Sequence, residues 1–522
     1  MTLLDFCRLK FIPVFYYLEF SCLKIMAGYG FATFDRHFFM RLFPKTHHTD
    51  LFLSFLFMAI LPSAFAGNIS VGPTVNVTAD QFAENETSLG MSPDGQWLAS
   101  AWNDWNYNDG CGFSYSVNGG KTWAARTFVP GMTAFSNDPN IPGTGRFTAS
   151  GDPAVVFNPK SGLFDVICQA FGGATGHQIQ LLSTTFNPLK ANPSLNENLS
   201  YGATAWTTPV AVAVGVGNGN QKGSNGQFPD HEAVTVDTGR GPGHHFGRLF
   251  IAWAEFDGSG RAPIDLSYSD DDGQTWVGPI RVSDSQHHFD QDAHPIVGPD
   301  GTVYVSFVNS KTESDLTHNL AMMAASRDGG NTWSSSYTVA QLGLIVAGSL
   351  PNSNYRVFSD VTSAIDQVSG RLVVAFNDNR NGVSTIYITR QTTPGILTSW
   401  STPVPVKASR GEQFFPWMSS APNGRIDLVY YDRSCDPFDK KNCVTLSSTT
   451  DGGATWLSVN VAEPFDGDLF QACLAYVEPQ NCGNFFLGDY IAVSSSNGKA
   501  QILYTGNGAV SMDEFSVTVN FK

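Results

Sequence analysis

Carboxylic side chains recur at a fixed place relative to a series of glycine turns along this chain. Grouped carboxyls can do acid–base chemistry, because crowding drives their pKa values apart and leaves one acid and one base. Counting back from the turns gives a first column of Asp152, Asp230, Asp292, Asp360 and Asp489, with Glu86 at nearly the same place. Phe415-Pro416-Trp417 interrupts it. Counting forward gives a second column of Asp104, Glu255, Asn309, Asp378 and Asp432. If both columns open on one face, they form two acidic rings around one mouth, and glycosidases need such pairs. Two quieter roles compete. Each carboxylate can accept hydrogen bonds from a neighbouring strand and tie the structure together. Asp230, Asp292, Asp360 and Asp489 could instead converge on a hard cation such as calcium, which takes several oxygen ligands; no other cofactor is required.

Histidines offer a rival chemistry. His231, His294, His287 and His288 fall at or just before the same column, while His177, His244 and His245 lie in loops. A His base beside a carboxylate-neutralising group would suit a polysaccharide lyase acting on uronic acids. The plain alternative is surface histidines without a role, favoured for His287 and His288. His231 lacks further ligands at helical or finger spacing, so a zinc site is not expected. Neither G-x-S-x-G nor G-x-x-x-x-G-K-[ST] is present, which argues against a nucleophile elbow and a phosphate loop.

The elements that position these groups are repeats. Four segments follow S/T-x-D/N-x-G-x-T-W: 116–123, 269–276, 326–333 and 449–456. Two decayed copies keep Trp206 and Trp400. In each, an acidic or amide side chain and glycines close a tight turn between two strands, and the Trp packs over it. A second element, strand–glycine turn–strand, recurs around 92–95, 158–162, 239–247, 298–301, 367–370, 421–424 and 495–498, seven hairpins against six tryptophans. The segment 71–77 reads like the strand after the second good turn, 277–282. It is expected to complete the last blade beside 514–521 and so close a ring without free edges. The fold class is therefore all-β, a seven-bladed β-propeller, with six blades the alternative.

The repeats resemble those of the sialidase (bacterial neuraminidase repeat, Asp-box) superfamily over nearly all of the chain after residue 66. The resemblance implies that the repeat turns are structural and lie opposite the active site. It also implies three arginines for a substrate carboxylate, a Tyr nucleophile assisted by a Glu, and an Asp acid/base. Arg146, Arg356, Arg380 and Arg433 are available for the first role; Tyr430, Tyr431 and Tyr490 for the nucleophile; Glu232 and Glu255 as its assistant. Seven blades rather than six, and no Arg-Ile-Pro motif near the start, depart from the family pattern.

Composition agrees with an exported β-protein. Aromatics make up 13%, Gly numbers 51 and Pro 28. A net charge of −16 makes nucleic acid an unsuitable partner. Met40-Arg41 and Lys45, the apolar run 51–61 and Ala64-Phe65-Ala66 read as a signal peptide over 40–66, ending near Ala66, with 1–39 an over-extended or leader segment. The apolar run is too short to span a bilayer. Residues 67–522 form one propeller domain, expected to be secreted and monomeric. Six cysteines remain after that cleavage. Cys435 with Cys443 and Cys473 with Cys482 read as local staples, leaving Cys111 with Cys168. Asn68, Asn76, Asn85 and Asn198 lie in N-x-S/T sequons.

The expected function is action on a glycan, as a sialidase-like exo-glycoside hydrolase. Asp104, Asp152, Glu255, Asp378, Tyr431 and Asp432 are the candidates for catalysis. Arg146, Arg356, Arg380, Arg433, His231, His294, Trp417 and Tyr490 are the candidates for substrate binding. The alternatives are the uronic-acid lyase and a binding module without turnover. Trp102, Trp105, Tyr107, Phe414, Phe415, Trp417, Tyr430 and Tyr431 supply flat faces for sugars in that last case. For Trp102 and Tyr430 ordinary core packing is the competing reading.

Overall fold

The computed structural model describes residues 69–105, 110–133, 147–172, 178–195, 200–216, 226–310, 319–343, 347–473 and 482–522. These build seven antiparallel blades and, among the described residues, no α-helix. Blades 1 to 6 span 84–128, 149–216, 227–281, 290–341, 361–405 and 413–460. Blade 7 takes three strands from 492–521 and its outermost from Ile69–Asn76. That N-terminal strand pairs Ile69 with Phe521 and Asn76 with Phe515, so the two ends of the propeller share one blade, as the repeat count predicts. The sheets of blades 2 and 3 are joined edge to edge by a single Gln227–Val216 strand pair.

The first strands of successive blades pack on one another, which puts them innermost, around the axis. Apolar side chains fill all seven blade interfaces, including Leu98 and Trp102 of blade 1 against Ala492 and Leu503 of blade 7. Trp102 and Tyr430 are fully buried there, so the core reading holds for both. The six repeat tryptophans have one job. Trp123, Trp206, Trp276, Trp333, Trp400 and Trp456 each pack into the interface with the preceding blade. Blade 7 has no such turn, which explains six tryptophans for seven hairpins.

The repeat turns share their hydrogen bonding. In 326–333 the Ser326 hydroxyl donates to Asp328 at 2.8 Å, Gly330 N–H donates to Ser326 at 2.9 Å, and Thr332 donates through its N–H (2.9 Å) and hydroxyl (2.6 Å) to Asp328. Asp271 and Asp451 do the same. Slight burial opposes ionisation of Asp271, Asp328 and Asp451, but the hydroxyl and N–H donors prevail and hold all three below the ordinary carboxylate range. Their stabilisation is thus complete above that range and is lost as pH falls through the lowered values. Replacing Asp328 by Ala is expected to cost about 1–2 kcal/mol in chemical denaturation at neutral pH, a deficit that shrinks in acid. These turns adjoin the hairpin turns: Gly119 N–H donates to Gln96 at 2.8 Å, and Lys499 bridges the carbonyls of Gly95 and Gly119. Both turn sets therefore lie on one face, and the beginnings of the first strands open on the other.

All three expected disulfides are formed, Cys111–Cys168, Cys435–Cys443 and Cys473–Cys482. The first ties blade 1 to blade 2. Three such bonds are compatible with secretion. No helix among the described residues is long and apolar enough to cross a membrane. The expected signal segment, Arg146, Tyr107, His177 and Asn198 lie outside the described residues.

Candidate active site at the channel mouth

The first strands reach the mouth through a repeated distortion. In blades 1, 2, 3, 4 and 6 the pairing with the second strand shifts register between Asn85 and Ser88, Gly151 and Ala154, Asp230 and Ala233, Gln291 and His294, and Phe414 and Trp417. Inside each bulge one residue takes positive φ: Glu86 (56°), Asp152 (46°), His231 (54°), Asp292 (57°) and Phe415 (50°). Bulges re-aim side chains, and left-handed backbone at a residue with a Cβ costs of order 1 kcal/mol or more. Five blades bear this strain at the same height, and the first column of acids sits there. Blade 3 is the exception to the sequence alignment. His231, not Asp230, occupies the bulge, and Asp230 stands one residue outside it.

Two buried networks result. In the first, Glu86 accepts hydrogen bonds from Asn103 Nδ2 and from Asp489 N–H (3.1 Å), and its carboxyl is hydrogen-bonded to Asp152. Asp152 N–H donates to Asn103 Oδ1 at 2.7 Å. Arg356 grips Asp489 with two guanidinium bonds, one of them Nε to Oδ1 at 2.8 Å. Burial, then the charges of Asp152 and Asp489, push Glu86 well above the ordinary range, so it carries the shared proton. In the second network His231 Nδ1 meets Asp292 Oδ1 at 2.9 Å. Asp360, hydrogen-bonded to Asp292, is raised by burial and by that neighbour's charge. Burial opposes charging of His231, but Asp292, Asp360 and Asp230 outweigh it and hold the imidazolium well above its usual pKa.

Asp152 and Asp230 are the half-buried carboxyls between these networks, on adjacent blades. Asp230 accepts from Gln169 Nε2 at 3.2 Å, and burial followed by the charge of Asp152 pushes its pKa up to about 7. Tyr490, buried amid Asp152, Glu86, Glu232 and Asp489, is held firmly protonated by burial and those charges.

Beneath the carboxyls a chain of rings crosses the axis: Phe358 to His231 (6.4 Å), His231 to Tyr490 (5.6 Å), Tyr490 to Trp417 (6.1 Å) and Trp417 to His294 (4.8 Å). His294 Nδ1 accepts from Ser363 N–H and approaches the Thr362 hydroxyl, both at 3.0 Å. Its proton therefore sits on Nε2, and burial lowers its pKa to about 4, keeping it neutral. His231, His294, Trp417 and Tyr490 line a cavity of about 550 Å³ that continues along the axis to Asp237 and Arg240 on the opposite face.

The structure gathers Asp152, Arg356, His231, His294, Trp417, Tyr490 and the acids of the first column, and disperses the other candidates. The second column is not a second ring at the mouth. Its strands lie one place further from the axis, and their acids are bound within the blades. Asp104 pairs with Arg126, Glu255 accepts from Trp253 Nε1 (2.8 Å), and Asp378 is bonded to Arg380 and Gly343. Asp432 accepts from Ser434 N–H, Thr445 and Lys407. Tyr431 is buried between blades 6 and 7, its hydroxyl donating to Thr505 O. The arginines also diverge. Arg433 is 0% exposed and donates to Asn442, Tyr355 and the carbonyls of Pro351 and Asp439, while Arg380 stacks on Tyr387 over its Asp378 pair. Arg356, with 60% of its side chain exposed, is the arginine of these three at the mouth.

Sequence reasoning assigned Asp230 to a cation and gave Glu232 only a place among available glutamates; the run Asp230-His231-Glu232 at a first-strand start was the signal for both. Among the described residues no group of three or more His, Cys, Asp or Glu is arranged to hold a metal. Of the four carboxylates expected to converge on a cation, Asp489 is paired with Arg356 and Asp292 with His231.

No protein-family model and no curated protein matches the chain. Its fold is similar to that of a protein of unknown function from Dyadobacter fermentans (12% identity, 87% of this chain and 99% of that one, TM-score 0.47). An ulvan lyase from a new family of polysaccharide lyase matches at 10% identity over 85% of this chain and 95% of its own, TM-score 0.49. A sialidase from Trypanosoma rangeli matches at 13% identity over 86% of this chain and 59% of its own, TM-score 0.42. Identities this low speak to fold alone, and the chemistry must be argued from the side chains.

Proposed function

We propose that this chain is a secreted glycoside hydrolase in which Asp230 is the general acid and Asp152 the base or nucleophile. The observation that carries the reading is that these two half-buried carboxyls stand at the starts of adjacent first strands, beside Pro153 and His231 on the cavity wall, close enough for the charge of one to act on the other. Burial, and after it the charge of Asp152, raises Asp230 to about 7, so that it still holds a proton near neutral pH. Trp417 offers an apolar face for a sugar ring, and Arg356 stands at the rim. The sialoside version is the weaker one, because Arg380 and Arg433 lie elsewhere and acids surround Arg356. A panel of fluorogenic glycosides tests the proposal: release from at least one neutral or cationic glycoside is expected, with kcat falling as pH rises through about 7. No release across the panel by folded protein would remove it.

A second reading has one observation in its favour. His231, kept charged by Asp292, lies 5.6 Å ring to ring from Tyr490, a cation for a uronate carboxylate beside a phenol. Elimination creates a carbon–carbon double bond, so growing ultraviolet absorbance with uronic-acid polysaccharides would favour a lyase. Retention on a glycan array with no product in either assay would leave a binding module.

A further inference from the structure

Glu232 is the buried acid at the mouth that no other described residue holds. It is 7% exposed, lines the axial cavity, and neither carboxylate oxygen has a hydrogen-bond partner in another described residue. Native proteins rarely leave a buried polar group so, and an unmet one facing a cavity asks for a donor from outside. The cavity, at about 550 Å³, is in the size range of small-molecule sites.

The surroundings select the charge of that donor. Seven carboxyls cluster here (Glu86, Asp152, Asp230, Glu232, Asp292, Asp360 and Asp489), whereas the neighbouring cations are His231 and Arg356. His231 is committed to Asp292 and Arg356 to Asp489, so neither serves Glu232. Burial and the charges of Asp152 and Asp230 push Glu232 well above the ordinary carboxylate range, so it gives up its proton only when a cation arrives. A neutral hydroxyl would leave it protonated, and an anion would hold it so more firmly. A protonated amine satisfies both demands. It can pair with Glu232 and sit against the faces of Tyr490 and Trp417, which also lie on the cavity wall. Trp417 and the hydroxyls of Ser88, Ser419 and Ser494 along the same wall suit the rest of a sugar.

We propose that the axial cavity binds a sugar residue carrying a free ammonium group, with Glu232 as its counter-ion. This deepens the hydrolase reading, on which the sugar identity rests, by naming the substrate class; binding itself can be measured without turnover. Calorimetric titration of the wild-type protein with glucosamine, N-acetylglucosamine, glucose, glucuronate and ethanolamine is the test. Glucosamine is expected to bind at least ~10-fold tighter than the N-acetylated and hydroxyl sugars, and glucuronate weakest. Glu232→Gln, which keeps shape and removes charge, is expected to abolish the preference for the amine while leaving the weak binding of glucose. Equal affinity for glucosamine and N-acetylglucosamine would overturn the proposal on the wild type alone, whatever the variant's fold. Ethanolamine binding as tightly as glucosamine would overturn the sugar part and leave an amine site. Failure of this series with glycoside hydrolysis intact would strike the cavity assignment only, and amine-selective binding without hydrolysis would strike the hydrolase reading only.

Discussion

Replacing Asp230 with Asn is expected to lower kcat on any glycoside the protein cleaves by about 10²–10⁴-fold, with the melting temperature close to wild type. The carboxamide preserves the hydrogen bond with Gln169 but has no proton to give a leaving oxygen. The pH profile separates this role from a structural one. In the wild type Asp230 must be protonated to act, so kcat falls as pH rises through about 7. That alkaline limb should vanish from the residual activity of Asp230→Asn. Asp152→Asn makes a sharper test. The charge of Asp152 helps to raise Asp230, second only to burial. Removing it should move the limb of the residual rate to lower pH as well as reduce the rate. Had Asp230 merely anchored Gln169 between blades 2 and 3, both substitutions would lower thermal stability and leave the limb in place, and that outcome would end the acid assignment.

The propeller was legible because its signals are local and periodic. Each repeat turn closes on its own Ser or Thr, Asp or Asn and Gly, and each Trp packs on the adjacent blade, so the pattern survives without knowledge of distant contacts. The closing strand was legible for the same reason, since 71–77 copies the residues after a repeat turn. The site was legible in its first column and failed by one residue in blade 3. There the glycine turn at 239–247 is long and rich in glycine, so counting back from it cannot place the bulge. The bulge itself inserts a residue between Asp230 and Ala233 and carries His231 to the axis.

The second column failed for a radial reason. Strand ends at equal height look alike in sequence, but only first strands face the channel. The arginines failed because loops decide them. Arg356 reaches the mouth on the segment Arg356–Phe358, next to Tyr355, whose ring is buried on Phe414 and whose hydroxyl donates to Asn442 at 2.8 Å. Arg433, which looked equally available, is the buried donor that completes this anchor through Tyr355. A residue read as a substrate ligand thus helps position one.

The largest structural effect is expected at Arg425, which is fully buried between blades 6 and 7. It holds Asp427 through Nε (3.0 Å) and a terminal nitrogen (2.9 Å), donates to the carbonyls of Asn497, Ser496 and Lys499, and lies 3.7 Å over the ring of Phe521. Asp427 also accepts from Ser448 (2.6 Å) and Ser495 (2.7 Å), so the pair is embedded in a network that joins the last two blades. Arg425→Ala leaves Asp427 buried with hydroxyl donors but no counter-charge, and is expected to cost about 3–5 kcal/mol by chemical denaturation. Because Phe521 pairs with Ile69, the damage should reach the ring closure. Amide exchange over 69–76 and 512–521 should therefore accelerate more than over blade 4. The double variant Arg425→Met with Asp427→Leu should recover part of the loss, since an apolar pair removes the stranded charge although it leaves the two serine hydroxyls and the carbonyls of Asn497, Ser496 and Lys499 without these partners. A loss under about 1 kcal/mol in the single variant, with exchange unchanged at the seam, would show that the seam depends on the strand pairing of 69–76 with 512–521 and not on the ion pair behind it.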